Sequence, residues 1–155
     1  MNRKKSHFSI LEIISLKSPL DGKTFVIANL DSFGYYRVNY DQENWNKIKN
    51  QLTINYELIP TKNRAQIIND VFGFSQAFLI TPPTIPFEIA KYLSNETDYL
   101  PWIIAFDRLK YITDQLQFKL AYKDLKRYYL TLIKPIYTKL TWFVQEKDKW
   151  LDRYT

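Results

Sequence analysis

Residues 34–52 read Gly34-Tyr35-Tyr36-Arg37-Val38-Asn39-Tyr40-Asp41-Gln42-Glu43-Asn44-Trp45-Asn46-Lys47-Ile48-Lys49-Asn50-Gln51-Leu52, and the periodicity changes in the middle of this stretch. Up to Tyr40 the residues alternate, with Tyr36, Val38 and Tyr40 on one side and Tyr35, Arg37 and Asn39 on the other, which is the period of a strand. Asp41 can accept from the first free amides of a helix, and behind it Trp45, Ile48 and Leu52 recur at helical spacing. Upstream, Thr24–Leu30 is rich in β-branched and aromatic residues. It lies between the turn residues Ser18, Pro19, Asp21 and Gly22 and the turn residues Asp31, Ser32 and Gly34. His7–Leu16 reads as a further strand. Three strands joined by short turns predict a small antiparallel β-unit.

Everything downstream reads as helix. Thr61 is the expected cap of a helix over Lys62–Phe78, with Ala65, Ile68, Val71, Phe72 and Phe78 among its apolar positions. Thr81–Pro86 is a proline-rich break, and Phe87–Leu93 a short helix. Thr97 and Asp98 offer caps before Pro101, which suits a first helical turn. Trp102–Leu116 follows, with Ile103, Phe106, Leu109 and Ile112 in phase. Phe118–Leu140 is a longer helix with a bend expected at Pro135, and Trp142–Tyr154 begins another. The predicted fold class is mainly α with a small N-terminal antiparallel β-unit, its helices stacked in antiparallel pairs as the start of an α-solenoid of the HEAT or armadillo kind.

Composition narrows the chemistry. The 155 residues are 46% hydrophobic and 17% aromatic, enough for a core. There is no cysteine, which excludes disulfides, thiolate metal sites and cysteine nucleophiles. Glycine is scarce and no phosphate-cradling loop occurs. The net charge is +6, unevenly spread, with basic ends and a slightly acidic middle. A basic segment carrying Tyr128, Tyr129, Tyr137 and Trp142 could stack bases, but the helical spacing of these aromatics suits a core, and no nucleic-acid partner is expected. Glu12 interrupts the apolar run Phe8–Leu16 and no small-residue cleavage site follows, so neither a signal peptide nor a transmembrane segment is evident.

The block Gly34–Asp41, preceded by Phe25-Val26-Ile27-Ala28-Asn29, closely resembles the zinc aminopeptidases of the aminopeptidase N family, at the end of their β-sandwich domain. The resemblance continues in order through Ile59-Pro60, Asn63-Arg64-Ala65-Gln66-Ile67-Ile68-Asn69-Asp70-Val71-Phe72, Tyr92-Leu93, Glu96-Thr97-Asp98-Tyr99 and Pro101-Trp102, then Tyr137, Lys139, Leu140 and Trp142. It implies that residues 1–41 end the β-sandwich and residues 42–155 are the first helices of a truncated C-terminal helical domain. It also implies an extracellular, cell-surface or secretory-lumen setting. In the family, zinc is held by the two histidines of an HExxH helix and a downstream glutamate. This chain has one histidine, His7, followed by Phe8, and neither HExxH nor GxMxN occurs. The expectation is therefore a non-catalytic fragment with no cofactor of its own, zinc belonging to the parent enzyme. Its partners would be the peptide substrate and the catalytic domain. The alternative is a free-standing helical module that binds another protein or a second copy.

Four residues are candidates for the domain joint or for the lining of a peptide chamber. Arg37 sits among tyrosines and could stack on a ring or pair with a carboxylate. Arg64, Gln66 and Asp70 lie on the first long helix after the joint, with Gln66 and Asp70 one turn apart. No position is expected to be catalytic or to bind metal. Asn95-Glu96-Thr97 is an N-glycosylation sequon, so Asn95 is a candidate modification site.

Overall fold

The structure, a computed structural model, describes residues 24–139. The strand expected over His7–Leu16 and the helix expected over Trp142–Tyr154 lie outside them. The described residues form five α-helices: α1 (Gln42–Asn55), α2 (Thr61–Gln76), α3 (Ile85–Ala90), α4 (Tyr99–Leu116) and α5 (Tyr122–Lys139). Single 3-10 turns lie at Leu30–Ser32, Tyr56–Leu58 and Lys91–Ser94.

The change of period at Asp41 marks the start of α1. The Asp41 carboxylate accepts from the Asn44 amide at 2.7 Å, and Trp45, Ile48 and Leu52 are buried. The strands predicted over Thr24–Leu30 and Tyr35–Tyr40 do not form among the described residues. Side chains take the amides that a ladder would use. Val26 N–H donates to Asn44 Oδ1 at 2.8 Å and Ala28 N–H to the Tyr40 hydroxyl at 3.0 Å. Asp31 N–H donates to Asn63 Oδ1 and Val38 N–H to Asp70 Oδ2, both at 2.9 Å. Residues 24–41 are thus an irregular strap laid over α1 and α2.

The predicted caps shift for a related reason. Thr61 is the first residue of α2 rather than its cap, and its hydroxyl donates to Asp98. Asp98 does occupy the N-cap position of α4, but its side chain makes no capping bond. At the other end, α2 stops at Gln76. Phe78, at φ 59°, takes the left-handed position that ends many helices, with Phe78 N–H bonded to Ser75 O and Leu79 N–H to Phe74 O.

The core is centred on α2, which packs chiefly on α4 and is flanked by α3. Ile67, Ile68, Val71 and Phe72 of α2 meet Trp45, Ile48 and Leu52 of α1, Ile89 and Ala90 of α3, and Trp102, Ala105 and Leu109 of α4. Helix α5 begins at Tyr122, four residues later than its periodicity predicts, and carries Pro135 within it. It joins the core through Leu125, Leu132 and Tyr128, whose hydroxyl donates to Phe87 O at 2.7 Å.

Candidate functional site

Helix α2 carries Asn63, Arg64, Gln66, Asn69 and Asp70, of which Asn63, Arg64 and Asp70 are buried. Helical geometry sends them to two faces. Positions 63, 66 and 70 share one face, and that face holds the N-terminal strap. Asn63 Nδ2 donates to Asn29 O at 3.0 Å while its Oδ1 takes the Asp31 amide. Gln66 Nε2 donates to Asp70 Oδ2 at 3.4 Å. Asp70 holds Val38, and Arg37 Nε lies 3.9 Å from Asp70 Oδ1. The Arg37 side chain crosses α2 above Gly73, where a Cβ would come within 2.5 Å of its guanidinium. Glycine at 73 is therefore what lets Arg37 lie against the helix. Behind this cluster, Arg108 of α4 donates through Nε and Nη2 to Asn69 Oδ1, at 2.9 and 2.5 Å.

Burial pushes the Asp70 carboxyl up from its ordinary value of 3.8 to about 6. Bonds from Val38 and Gln66 and the charges of Arg37 and Arg108 oppose that rise without cancelling it. A raised folded-state pKa means that the folded chain holds its proton more tightly than the unfolded one. The stability that Asp70 contributes is thus fullest below pH 3.8 and is lost as pH rises through about 6. Asp70→Asn mimics the neutral form and still accepts from Val38. We expect it to gain on the parent by about 1–2 kcal/mol between pH 4 and 7, after screening on the open Arg37 side. Thermal melts of both proteins across that range check this. Parallel curves would refute the assignment.

Arg64 points away from the strap, into a second cluster. It is 3% exposed, and Glu96 is 0% exposed. Nε donates to Glu96 Oε2 at 2.7 Å and Nη2 to Glu96 Oε1 at 3.1 Å, a two-point clamp. Nη2 also reaches Asp98 Oδ2 at 2.6 Å, and Nη1 reaches Ile59 O at 2.6 Å. The Tyr56 ring lies under the guanidinium, 5.1 Å from its centre. Glu96 Oε1 accepts the Thr97 and Asp98 amides as well, and the Trp102 indole donates to Glu96 O. Burial alone would lower the Arg64 pKa, but the hydrogen bond and charge of Glu96 outweigh it and the net shift is upward. Burial pushes the neighbouring Tyr92 phenol well up.

The structure therefore brings Arg37, Gln66 and Asp70 together and sends Arg64 elsewhere. Asn95 adjoins the second cluster through Glu96, but is itself exposed, as is Thr97. Glu96, Asp98, Asn63, Asn69 and Arg108 belong to these networks and were not singled out as site residues. Glu96 and Asp98 lie in the Glu96–Tyr99 block that carries the family resemblance, yet only the packing of α2 on α4 reveals their partner.

What the arrangement can do chemically is hold segments in register. The described residues do not fit the zinc ion that the motif resemblance implies for the parent enzyme. They contain no group of three or more His, Cys, Asp or Glu able to share a metal. The buried carboxylate of Glu96 and the exposed one of Asp98 are already turned on a guanidinium. No described helix is long and apolar enough to cross a membrane.

The chain is 36% identical over 129 residues to aminopeptidase N of Rattus norvegicus, covering 83% of this chain and 13% of that protein. It is 39% identical over 124 residues to the thyrotropin-releasing hormone-degrading ectoenzyme of the same species, covering 79% of this chain and 11% of that protein. It is 39% identical over 116 residues to human aminopeptidase N, covering 75% of this chain and 12% of that protein. The chain thus spans roughly an eighth of the length of these relatives. Residues 25–155 match the ERAP1-like C-terminal domain. The chain belongs to the ERAP1-like C-terminal domain family, matching the C-terminal region of aminopeptidase N-type enzymes.

Proposed function

We propose that this chain serves a zinc metalloaminopeptidase as the part of its helical domain that covers and shapes the peptide chamber while the catalytic domain removes N-terminal residues. On this reading residues 1–41 end the β-sandwich, and residues 42–155 open a helical solenoid. Arg37, Gln66 and Asp70 fix the joint between the two, while Arg64 ties α2 to the segment that leads into α4. The carrying observation is how α2 uses its polar side chains. Asn63, Arg64, Asn69 and Asp70 all engage other segments of the chain, which suits a rigid wall and not a reacting centre. A cell-surface or secretory-lumen setting is proposed from the relatives, one of which is named an ectoenzyme. In that setting the exposed Asn95 side chain is open to a glycan.

The test has two arms. The 155-residue chain, incubated with zinc and an aminoacyl-coumarin, should show no zinc-dependent hydrolysis; turnover that survives repurification overturns the reading. In the second arm, the part of this chain that matches human aminopeptidase N over 116 residues replaces its counterpart in that enzyme. The chimaera should keep zinc-dependent hydrolysis and change KM for long peptides more than kcat. An unchanged KM for every peptide length would exclude the chamber role.

A further inference from the structure

The turn between α4 and α5 presents two large apolar side chains almost entirely to solvent, Phe118 at 93% and Leu120 at 99% exposure. Lys119 stands between them, and Lys123, Lys126 and Arg127 follow on the first turns of α5, all exposed. Over residues 110–127 there are five cations and two carboxylates, a local excess of +3. The carboxylates are already engaged: Asp114 with Lys110 at 2.7 Å and Asp124 with Arg127 at 3.4 Å. Lys126 Nζ lies over the Tyr122 ring, 4.5 Å from its centre, so this tyrosine offers an apolar face under a cation. The tip lies at the end of α5 opposite Lys139.

We infer that the α4–α5 turn is a docking tip for an anionic lipid bilayer, with Phe118 and Leu120 entering the headgroup region and the surrounding lysines meeting lipid phosphates and carboxylates. Two observations choose this occupant. Phe118 and Leu120 stand almost wholly in solvent, and apolar side chains so exposed find cover in a fluid interface without needing a matching pocket. Its charge is complementary to an anionic surface and repels a second copy of a chain whose net charge is +6. Leu120 also offers nothing to a nucleic-acid base, whereas it gains by leaving water for lipid.

Vesicle flotation of the 155-residue chain tests this. Vesicles of phosphatidylcholine with about one-third phosphatidylserine should bind the chain, neutral phosphatidylcholine vesicles should not, and raising salt should weaken the binding. Phe118→Ser with Leu120→Ser should weaken it about tenfold or more. Lys119→Gln and Lys123→Gln should each cost about fivefold. Because all four positions are exposed, melting temperatures should not move. Phe118→Trp should be quenched by brominated lipid. Equal binding to both vesicle types would overturn the inference. So would binding unchanged in the serine double variant, which would assign it to other basic segments. Preferential capture by single-stranded nucleic acid would overturn it as well.

Discussion

Arg64→Ala is expected to destabilise the chain by about 3–5 kcal/mol, the range for removing one partner of a buried ion pair. Its melting temperature should fall by about 10–15 °C. The loss would exceed that of one contact because of what remains behind. Glu96, at 0% exposure, would keep a carboxylate with backbone donors but no cation. Ile59 O would lose the donor that fixes the turn between α1 and α2. Asp98 would lose the guanidinium that drew it away from capping α4. Arg64→Lys keeps the charge but not the two-point fork, and should recover less than half of the loss. Glu96→Gln leaves Arg64 its contact with Asp98 and should cost less than Arg64→Ala. The double variant Arg64→Ala with Glu96→Gln should then be milder than the sum of the two, since no unpaired charge is left buried. Urea denaturation of the four proteins measures this. A strictly additive cycle would mean that the pair is not coupled.

How much of this could be read from the chain alone follows from the range of each signal. The helix after Asp41 is legible because its cap and its apolar stripe lie within the twelve residues Asp41–Leu52. Phe118 was misassigned to a helix because the tip between α4 and α5 is apolar, and periodicity alone does not distinguish an exposed apolar turn from helix. The strap was misread as strands for a deeper reason. Alternation at Tyr36, Val38 and Tyr40 reports a chain with two faces, not what satisfies its amides. Here Asn44, Asn63, Asp70 and Tyr40 do so, all four at separations of 12 to 32 residues. The same limit governed the site. Asp70 with Gln66 was visible as a pair one turn apart. Arg64 with Glu96 spans 32 residues and depends on which helix packs on which. Thr61 and Asp98 looked like caps because short polar side chains beside a helix start usually are. Both instead bond the Arg64 cluster, a demand with no local signature.

Phe72→Ala should be the other severe substitution, costing about 3–5 kcal/mol from the cavity left by a fully buried ring. Phe72 is 1% exposed. Its ring meets Phe87 edge to face at 5.7 Å, and Phe87 meets Tyr128 of α5 in the same way at 5.4 Å. This line of three rings ties α2, through α3, to α5, and edge-to-face pairs add about 0.5–1.5 kcal/mol beyond burial. Removing the first ring should let Phe87 sink into the space and draw away from Tyr128, whose hydroxyl bonds Phe87 O. The damage should therefore be directional. Amide exchange in α5 should accelerate more than in α4, whose packing on α2 is the most extensive between any two elements. No buried charge is exposed or stranded, so, unlike the Arg64 variants, the loss should not change between low and high salt. Phe72→Leu should retain most of the stability but not the protection of α5, because it fills volume without presenting a ring edge. Equal acceleration in α4 and α5 would mean that the rings only fill space and do not carry the attachment of α5.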